Sequence, residues 1–224
     1  MKQYPIAPDG WPHILIGLVV SVVLYFVLPW LAVISLLLTC FFCFFFRNPT
    51  RIGPVAPADL ISPADGKVMA ITKLDHVDDL GSPAVCITIF LSLFNVHINR
   101  APMSGDVFCR RYRPGKYLPA FKSHASDLNE RNTIGITDGS RKILVNQITG
   151  FIARRIVCDV TPGDTLNQRQ RFGMIRFGSC TELICPVDVI VLAKAGDRVR
   201  AGQTVLARFT ATEIEPEPEV AHDS

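Results

Sequence analysis

The chain has 224 residues, 49% of them hydrophobic and 19% charged, with a formal net charge of +3. That length suits one ordinary globular core, or a small core joined to a membrane anchor. A surplus of three positive charges is too small to argue for a nucleic-acid partner.

The hydrophobicity is concentrated at the N-terminus. Residues 14–46 carry no charged side chain, a run well beyond the ~20 residues that cross a bilayer as one helix. It is far longer than the ~7–15 apolar residues of a signal peptide, and no small-residue cleavage site follows it. No polar face recurs at helical spacing, which argues against a buried helix of a soluble protein. Pro29-Trp30 interrupts the run, and proline breaks an ongoing helix. The expectation is a hairpin of two helices, over residues 14–28 and 31–46, with both ends on one side; a single kinked, tilted helix is the alternative. Each half rises only ~23 Å at 1.5 Å per residue. Arg47 and Arg51 follow directly, and basic residues flanking a span favour the cytoplasmic side of a cell membrane. The seven cysteines, Cys40, Cys43, Cys86, Cys109, Cys158, Cys180 and Cys185, are odd in number and form no CxxC pair outside the apolar run. They point to a reducing compartment, with neither a disulfide framework nor a metal site.

From Pro54 onward, short runs rich in Val, Ile and Phe alternate with turn pairs such as Asp65-Gly66, Pro114-Gly115, Asp138-Gly139, Pro162-Gly163 and Gly196-Asp197. The runs at 67–71, 85–91, 105–111, 143–148, 155–160, 181–184 and 204–209 predict strands, and the rhythm predicts a mostly β sandwich or barrel. Helix is indicated only over 122–131 and 151–155. The phrases at 101–107 and 195–203 resemble the turn-and-strand phrases of barrel-sandwich, lipoyl-like β domains. Residues 213–224 are acidic and lack apolar content for a core, so a disordered tail is expected. The chain thus divides into an expected anchor (1–46), a β-rich domain (47–212) and a tail (213–224).

The stretch most informative about chemistry is Arg171-Phe172-Gly173-Met174-Ile175-Arg176-Phe177-Gly178-Ser179-Cys180. Strand-like residues surround a glycine that precedes a hydroxyl nucleophile, and glycine tolerates strained geometry. Five more phrases accompany it: Phe46-Arg47-Asn48-Pro49, Ser62-Pro63-Ala64-Asp65-Gly66-Lys67-Val68, and Phe94-Asn95-Val96-His97-Ile98-Asn99-Arg100-Ala101-Pro102. The last two are Asn129-Glu130-Arg131-Asn132 and the run from Gln147 to Val157. Taken together and in this order, they resemble the short, membrane-associated bacterial form of phosphatidylserine decarboxylase.

The resemblance implies a chain that cuts itself between Gly178 and Ser179 and converts Ser179 into a covalent pyruvoyl cofactor. His97 matches the family's base and Asp65 its orienting carboxylate, in the order Asp, His, Ser. The two pieces would remain together as a heterodimer, with homo-oligomerisation left open. Phosphatidylserine in the membrane would be the substrate and phosphatidylethanolamine the product. Longer relatives carry a second histidine where Phe94 stands here, and the residue after the serine is Cys180 rather than threonine or arginine. Neither position can therefore carry a side-chain role over. His124 reads as an exposed residue. Arg110, Arg111, Arg113, Arg154, Arg155, Arg169, Arg171 and Arg176 form a basic population suited to an anionic lipid surface. No nucleotide-binding fingerprint is present. A membrane-anchored barrel-sandwich adaptor would give Ser179 no task. A membrane-tethered serine hydrolase would need the Gly-x-Ser-x-Gly elbow, which this sequence lacks around Ser179.

Overall fold

The computed structural model describes residues 4–53, 56–116, 118, 128–150, 155–176 and 179–210. Two helices come first, α1 (Trp11–Val27) and α2 (Pro29–Phe45). Between them Leu28 adopts φ −144° and ψ 84°, because a proline disfavours the helical region in the residue before it. Pro29 itself suits the first turn of a new helix. The chain reverses at this break and the helices pack side by side as the expected hairpin. Their contact uses small polar residues: Ser21 Oγ lies 2.7 Å from Gly17 O and 2.9 Å from Ser35 Oγ, and Thr39 Oγ1 donates to Ser35 O at 2.8 Å. Small residues let apolar helices approach closely, while Ile16, Phe26, Val27 and Leu37 point outward and are exposed. Together with the 3-10 turn at Pro8–Gly10, α1 forms a 20-residue helix long and apolar enough to cross a membrane.

The rest is β structure in three antiparallel sheets. The largest has eight strands in the order β13 (Arg198–Val199), β2 (Gly66–Val77), β3 (Ser82–Leu91), β11 (Ser179–Pro186), β7 (Lys142–Thr149), β6 (Arg131–Thr137), β5 (Gly105–Arg113) and β9 (Thr165–Leu166). A second sheet sets β10 (Arg171–Arg176) between β4 (Ile98–Arg100) and β8 (Arg155–Cys158). A third sets β14 (Val205–Phe209) between β1 (Asp59–Ile61) and β12 (Val189–Val191). Side chains alternate across each strand. On β11, Leu183 and Cys185 join the principal core with Ile87, Ile89, Val145, Ile134 and Phe172. Ile184 instead joins a second cluster with Cys86 and Leu144. With both faces covered, seven of the eight residues of β11 are buried.

All seven predicted strand runs fall on strands, with only residues 159–160 and 204 beyond the strand ends, and the mostly β class holds. Of the helix expected over 122–131, Leu128 is helical, whereas Asn129 bridges Lys116 and Arg131 opens β6. Pairing of β6 along the whole of β7 overrides the weak helical preference there. Arg155 likewise begins β8. Residues 122–127, 151–154 and the tail 213–224 lie outside the described residues.

Gly66, beside the Asp65 turn, lies against β3 so closely that a Cβ would stand 2.1 Å from Phe90 O. Gly66→Ala should therefore lower stability by ~1–3 kcal/mol through overpacking, read as a lower midpoint of thermal unfolding; an unchanged midpoint would show that β2 and β3 separate freely here.

Candidate active site

The site is built where the small sheet β4-β10-β8 meets the eight-stranded sheet. β10 lies against β7 of the eight-stranded sheet. A Cβ on Gly173 would stand 2.9 Å from Gln147 Nε2, and Gln147 is the register partner of Thr181 on β11. Only glycine permits that approach. β4, antiparallel to β10, also reaches β7 and β11 through its side chains. Asn99 Nδ2 accordingly donates to Thr181 Oγ1 at 3.1 Å and Gln147 Nε2 to Asn99 Oδ1 at 2.9 Å. His97 lies two residues before Asn99, just outside β4, and Ser179 two residues before Thr181, at the start of β11. Both predicted residues are fully buried.

Ser179 opens β11, pinned between Leu91 of β3 and Thr149 of β7. Its Oγ is buried and has no hydrogen-bond partner among the described residues. His97 Nδ1 lies 3.0 Å from the carbonyl oxygen of Asn95. A carbonyl can only accept, so Nδ1 carries the proton and a neutral ring keeps its lone pair on Nε2. Asn95 is itself fixed, since its Oδ1 accepts from the Ser92 backbone N–H and hydroxyl, both at 2.8 Å. Burial is the main force that pulls the His97 pKa down, to about 4; the Asn95 carbonyl opposes it and the charge of Arg47 adds to it. The ring of Phe45, at the end of α2, lies 4.4 Å from that of His97.

Asp65 sits differently from the expectation of a carboxylate bonded to His97. Its oxygens accept from Arg51 Nη2 at 2.9 and 2.7 Å and from the Ala201 backbone N–H at 2.8 Å. A buried carboxylate needs a cation and donors, and Arg51 is within reach. The acceptor for the imidazole is a backbone carbonyl instead. Asp65 nevertheless lines, with Lys67, Ser92, Asn95, Arg198 and Arg200, a cleft of about 530 Å³. Ser92 in that wall follows Leu91, the partner of Ser179.

Gly178 lies outside the described residues, as do His124 and Arg154. Phe94 is exposed. Cys180 faces away from Ser179 on alternation and is fully buried, with its thiol pushed well above its ordinary pKa by burial first and by Glu182 next. Such a thiol is inert as an acid or nucleophile. Sequence reasoning assigned no task to Asn95, Asn99, Gln147 or Thr181. The available signal was their position, polar side chains at alternate places inside apolar strands.

The foot of the helical hairpin forms one wall. Ala7 N–H donates to Phe46 O at 2.8 Å and Asn48 N–H to Pro5 O at 2.7 Å. The Arg100 guanidinium, only 1% exposed, donates to Asn48 Oδ1 at 2.6 Å, Pro49 O at 3.1 Å and Arg169 O at 3.0 Å. Arg47 donates to Phe44 O and Phe94 O, each at 2.7 Å. The Phe-Arg-Asn-Pro phrase therefore meets the Asn-Arg phrase of β4 directly. Two arginines of the basic population turn inward, Arg171 and Arg176, which pair with Asp9, while Arg111 pairs with Asp79 at the surface.

A family model described as phosphatidylserine decarboxylase matches residues 38–207. The chain is 53% identical over 181 residues to a protein named phosphatidylserine decarboxylase proenzyme from Carboxydothermus hydrogenoformans, covering 80% of this chain and 85% of the relative. It is 44% identical over 210 residues to the protein of that name from Symbiobacterium thermophilum, covering 93% and 98%. With that from Syntrophus aciditrophicus it is 43% identical over 207 residues, covering 91% and 97%.

The Arg51–Asp65 pair is nearly enclosed, with side-chain exposures of 8% and 12%. Arg51→Met should cost about 3 kcal/mol by leaving the Asp65 charge buried and unpaired, read by denaturant unfolding. A double change with Asp65→Leu should recover much of that loss, and no recovery would contradict the pairing.

Proposed function

Since the chain belongs to the phosphatidylserine decarboxylase family and is an enzyme that decarboxylates phosphatidylserine, we propose that it makes its own pyruvoyl cofactor from Ser179 by self-cleavage at the Gly178–Ser179 bond. The observation that carries this reading is the Ser179 hydroxyl, buried without a hydrogen-bond partner among the described residues. A buried unpaired hydroxyl costs ~1–3 kcal/mol, which an alanine would avoid. Retaining it suits a nucleophile. The proenzyme name of the relatives fits the same chemistry.

In the proposed sequence, Ser179 Oγ attacks the Gly178 carbonyl carbon while His97 Nε2 takes the hydroxyl proton. The Ser179 nitrogen takes that proton from His97 and departs as an amine, leaving an ester between the two residues. Loss of the Ser179 α-proton then expels the Gly178 carboxylate and divides the chain. The unsaturated amine left at position 179 takes up water and releases ammonia, giving the pyruvoyl group. That group supplies an electron sink for the pair left behind by departing carbon dioxide. Return of a proton to the substrate carbon is assigned to His97, which would take that proton from solvent at Nε2 and pass it on. With Asn95 accepting from His97, the part proposed for Asp65 is to hold, through Arg51 and the Ala201 amide, the loop whose Pro63 carbonyl accepts from Arg100 N–H at 3.0 Å.

Lys67, Arg198 and Arg200 in the cleft beside Asp65 suit the phosphate of the lipid headgroup. We assign residues 1–46 to a membrane anchor, 47–212 to the catalytic domain, and the catalytic side to the cytoplasm. That side follows from Arg47 and Arg51 at the end of the apolar segment. The long and short pieces would stay associated, because β11 pairs on both edges with strands of the long piece.

Ser179→Ala should leave the chain whole and inactive, as seen on a denaturing gel and in a decarboxylation assay; an active Ser179→Ala variant would end this mechanism. His97→Ala should slow cleavage by at least about a hundredfold, and normal cleavage would remove His97 as the base. The base form of His97 is required, and burial holds its pKa near 4. Cleavage should thus stay level from pH 8 down to about pH 5 and fall as the ring protonates below that. A fall centred near the ordinary histidine value of about 6.5 would contradict the buried, neutral imidazole.

A further inference from the structure

The segment before α1 reaches the strand that leads into the proposed cleavage bond. Ala7 is fully buried in a cluster with Phe45, Phe46, Val96, Ile98 and Met174, and Val96 and Ile98 flank His97. Two residues further on, Asp9 takes one guanidinium on each oxygen: Arg171 Nη2 at 2.7 Å on Oδ2 and Arg176 Nη2 at 3.0 Å on Oδ1. These arginines are the first and last residues of β10. Residues five apart on a regular strand face opposite sides, and a register shift between Arg171 and Gly173 interrupts the β10–β4 ladder. Both guanidinium groups are mostly buried, with side-chain exposures of 14% and 16%, so these are not loose surface pairs. Arg171 also meets Asp159 at 3.2 Å, whereas for Arg176 the ion pair among the described residues is with Asp9.

Phe177 alone separates Arg176 from Gly178. The proposed scissile bond is thus strung between two anchored ends: Arg176 held by Asp9, and Ser179 held in the eight-stranded sheet by Leu91 and Thr149. Attack by Ser179 Oγ on the preceding carbonyl requires a narrow geometry, and small misplacements cost orders of magnitude in rate. We infer that Asp9 is a positioning residue for self-cleavage, which couples maturation of the enzyme to correct seating of its membrane anchor. This role presupposes the cleavage at Gly178–Ser179 proposed above. A chain whose hairpin has not docked lacks Asp9 at β10 and would remain a precursor.

The test uses the full chain synthesised into liposomes, with the appearance of the two pieces followed in time. Asp9→Asn should slow cleavage by about tenfold to a hundredfold, and Asp9→Glu should restore it to within a few-fold. Decarboxylation per cleaved chain should be unchanged in the Asp9→Asn protein. In the Arg176→Gln background, adding Asp9→Asn should slow cleavage little further. The uncleavable Ser179→Ala background keeps folding separate, because there Asp9→Asn should still unfold cooperatively within a few degrees of its parent. Cleavage of Asp9→Asn at the unmodified rate would overturn the inference and leave the proposed chemistry intact. So would a slowing that Asp9→Glu does not rescue and that lowers activity per cleaved chain equally. An unmodified chain that never cleaves, by contrast, would remove the proposed chemistry and this role with it.

Discussion

A guanidinium that cannot reach water organises this molecule. Arg100 is buried at the junction of the helical hairpin with the β structure, and burial draws its pKa down to about 10. A charge in that position must be surrounded by acceptors. They come from two separate parts of the chain: Asn48 and Pro49 after the hairpin, and Arg169 before β10. Satisfying Arg100 therefore fixes the hairpin, β4 and the start of β10 relative to one another. His97 lies three residues upstream of it, and Ser179 follows the strand that β4 pairs with.

The second constraint is the contact between the small sheet and the large one, where Asn99 of β4 donates to Thr181 of β11, each two residues beyond His97 and Ser179 respectively. The polar network of Asn99, Gln147 and Thr181 is internally paired, while the neighbouring Ser179 hydroxyl is not. Satisfied polar networks rigidify a core. A single orphan at the edge of one is the pattern expected where function rather than stability chose the residue. The helical segment contributes more than attachment, since Phe45 covers His97 and Asp9 grips β10.

Much of this was legible in the sequence. The uncharged run of residues 14–46 and its Pro29 break defined the hairpin, because proline acts on its neighbour locally. The seven strand runs were visible because β-branched residues and turn pairs are also local signals. Arg131 was misread within a helical segment, since its conformation is imposed by β7, a partner distant in sequence. The residues singled out for chemistry, Ser179 and His97, came from phrases rather than from periodicity, and the fold buries both. The true partners of Asp65 were not legible: nothing local links it to Arg51 or Ala201, which only the tertiary structure brings to it. Asp9 was equally silent, one acidic residue in an N-terminal segment whose meaning depends on a strand more than 160 residues away.

The most direct test of the central claim is the intact mass of the purified chain, measured before and after cyanoborohydride reduction in the presence of phosphatidylserine. Two pieces divided between Gly178 and Ser179, the shorter lacking a free N-terminal amine and gaining the mass of the lipid amine on reduction, are the predicted result. A single undivided chain that gains no mass and still decarboxylates phosphatidylserine would contradict the account.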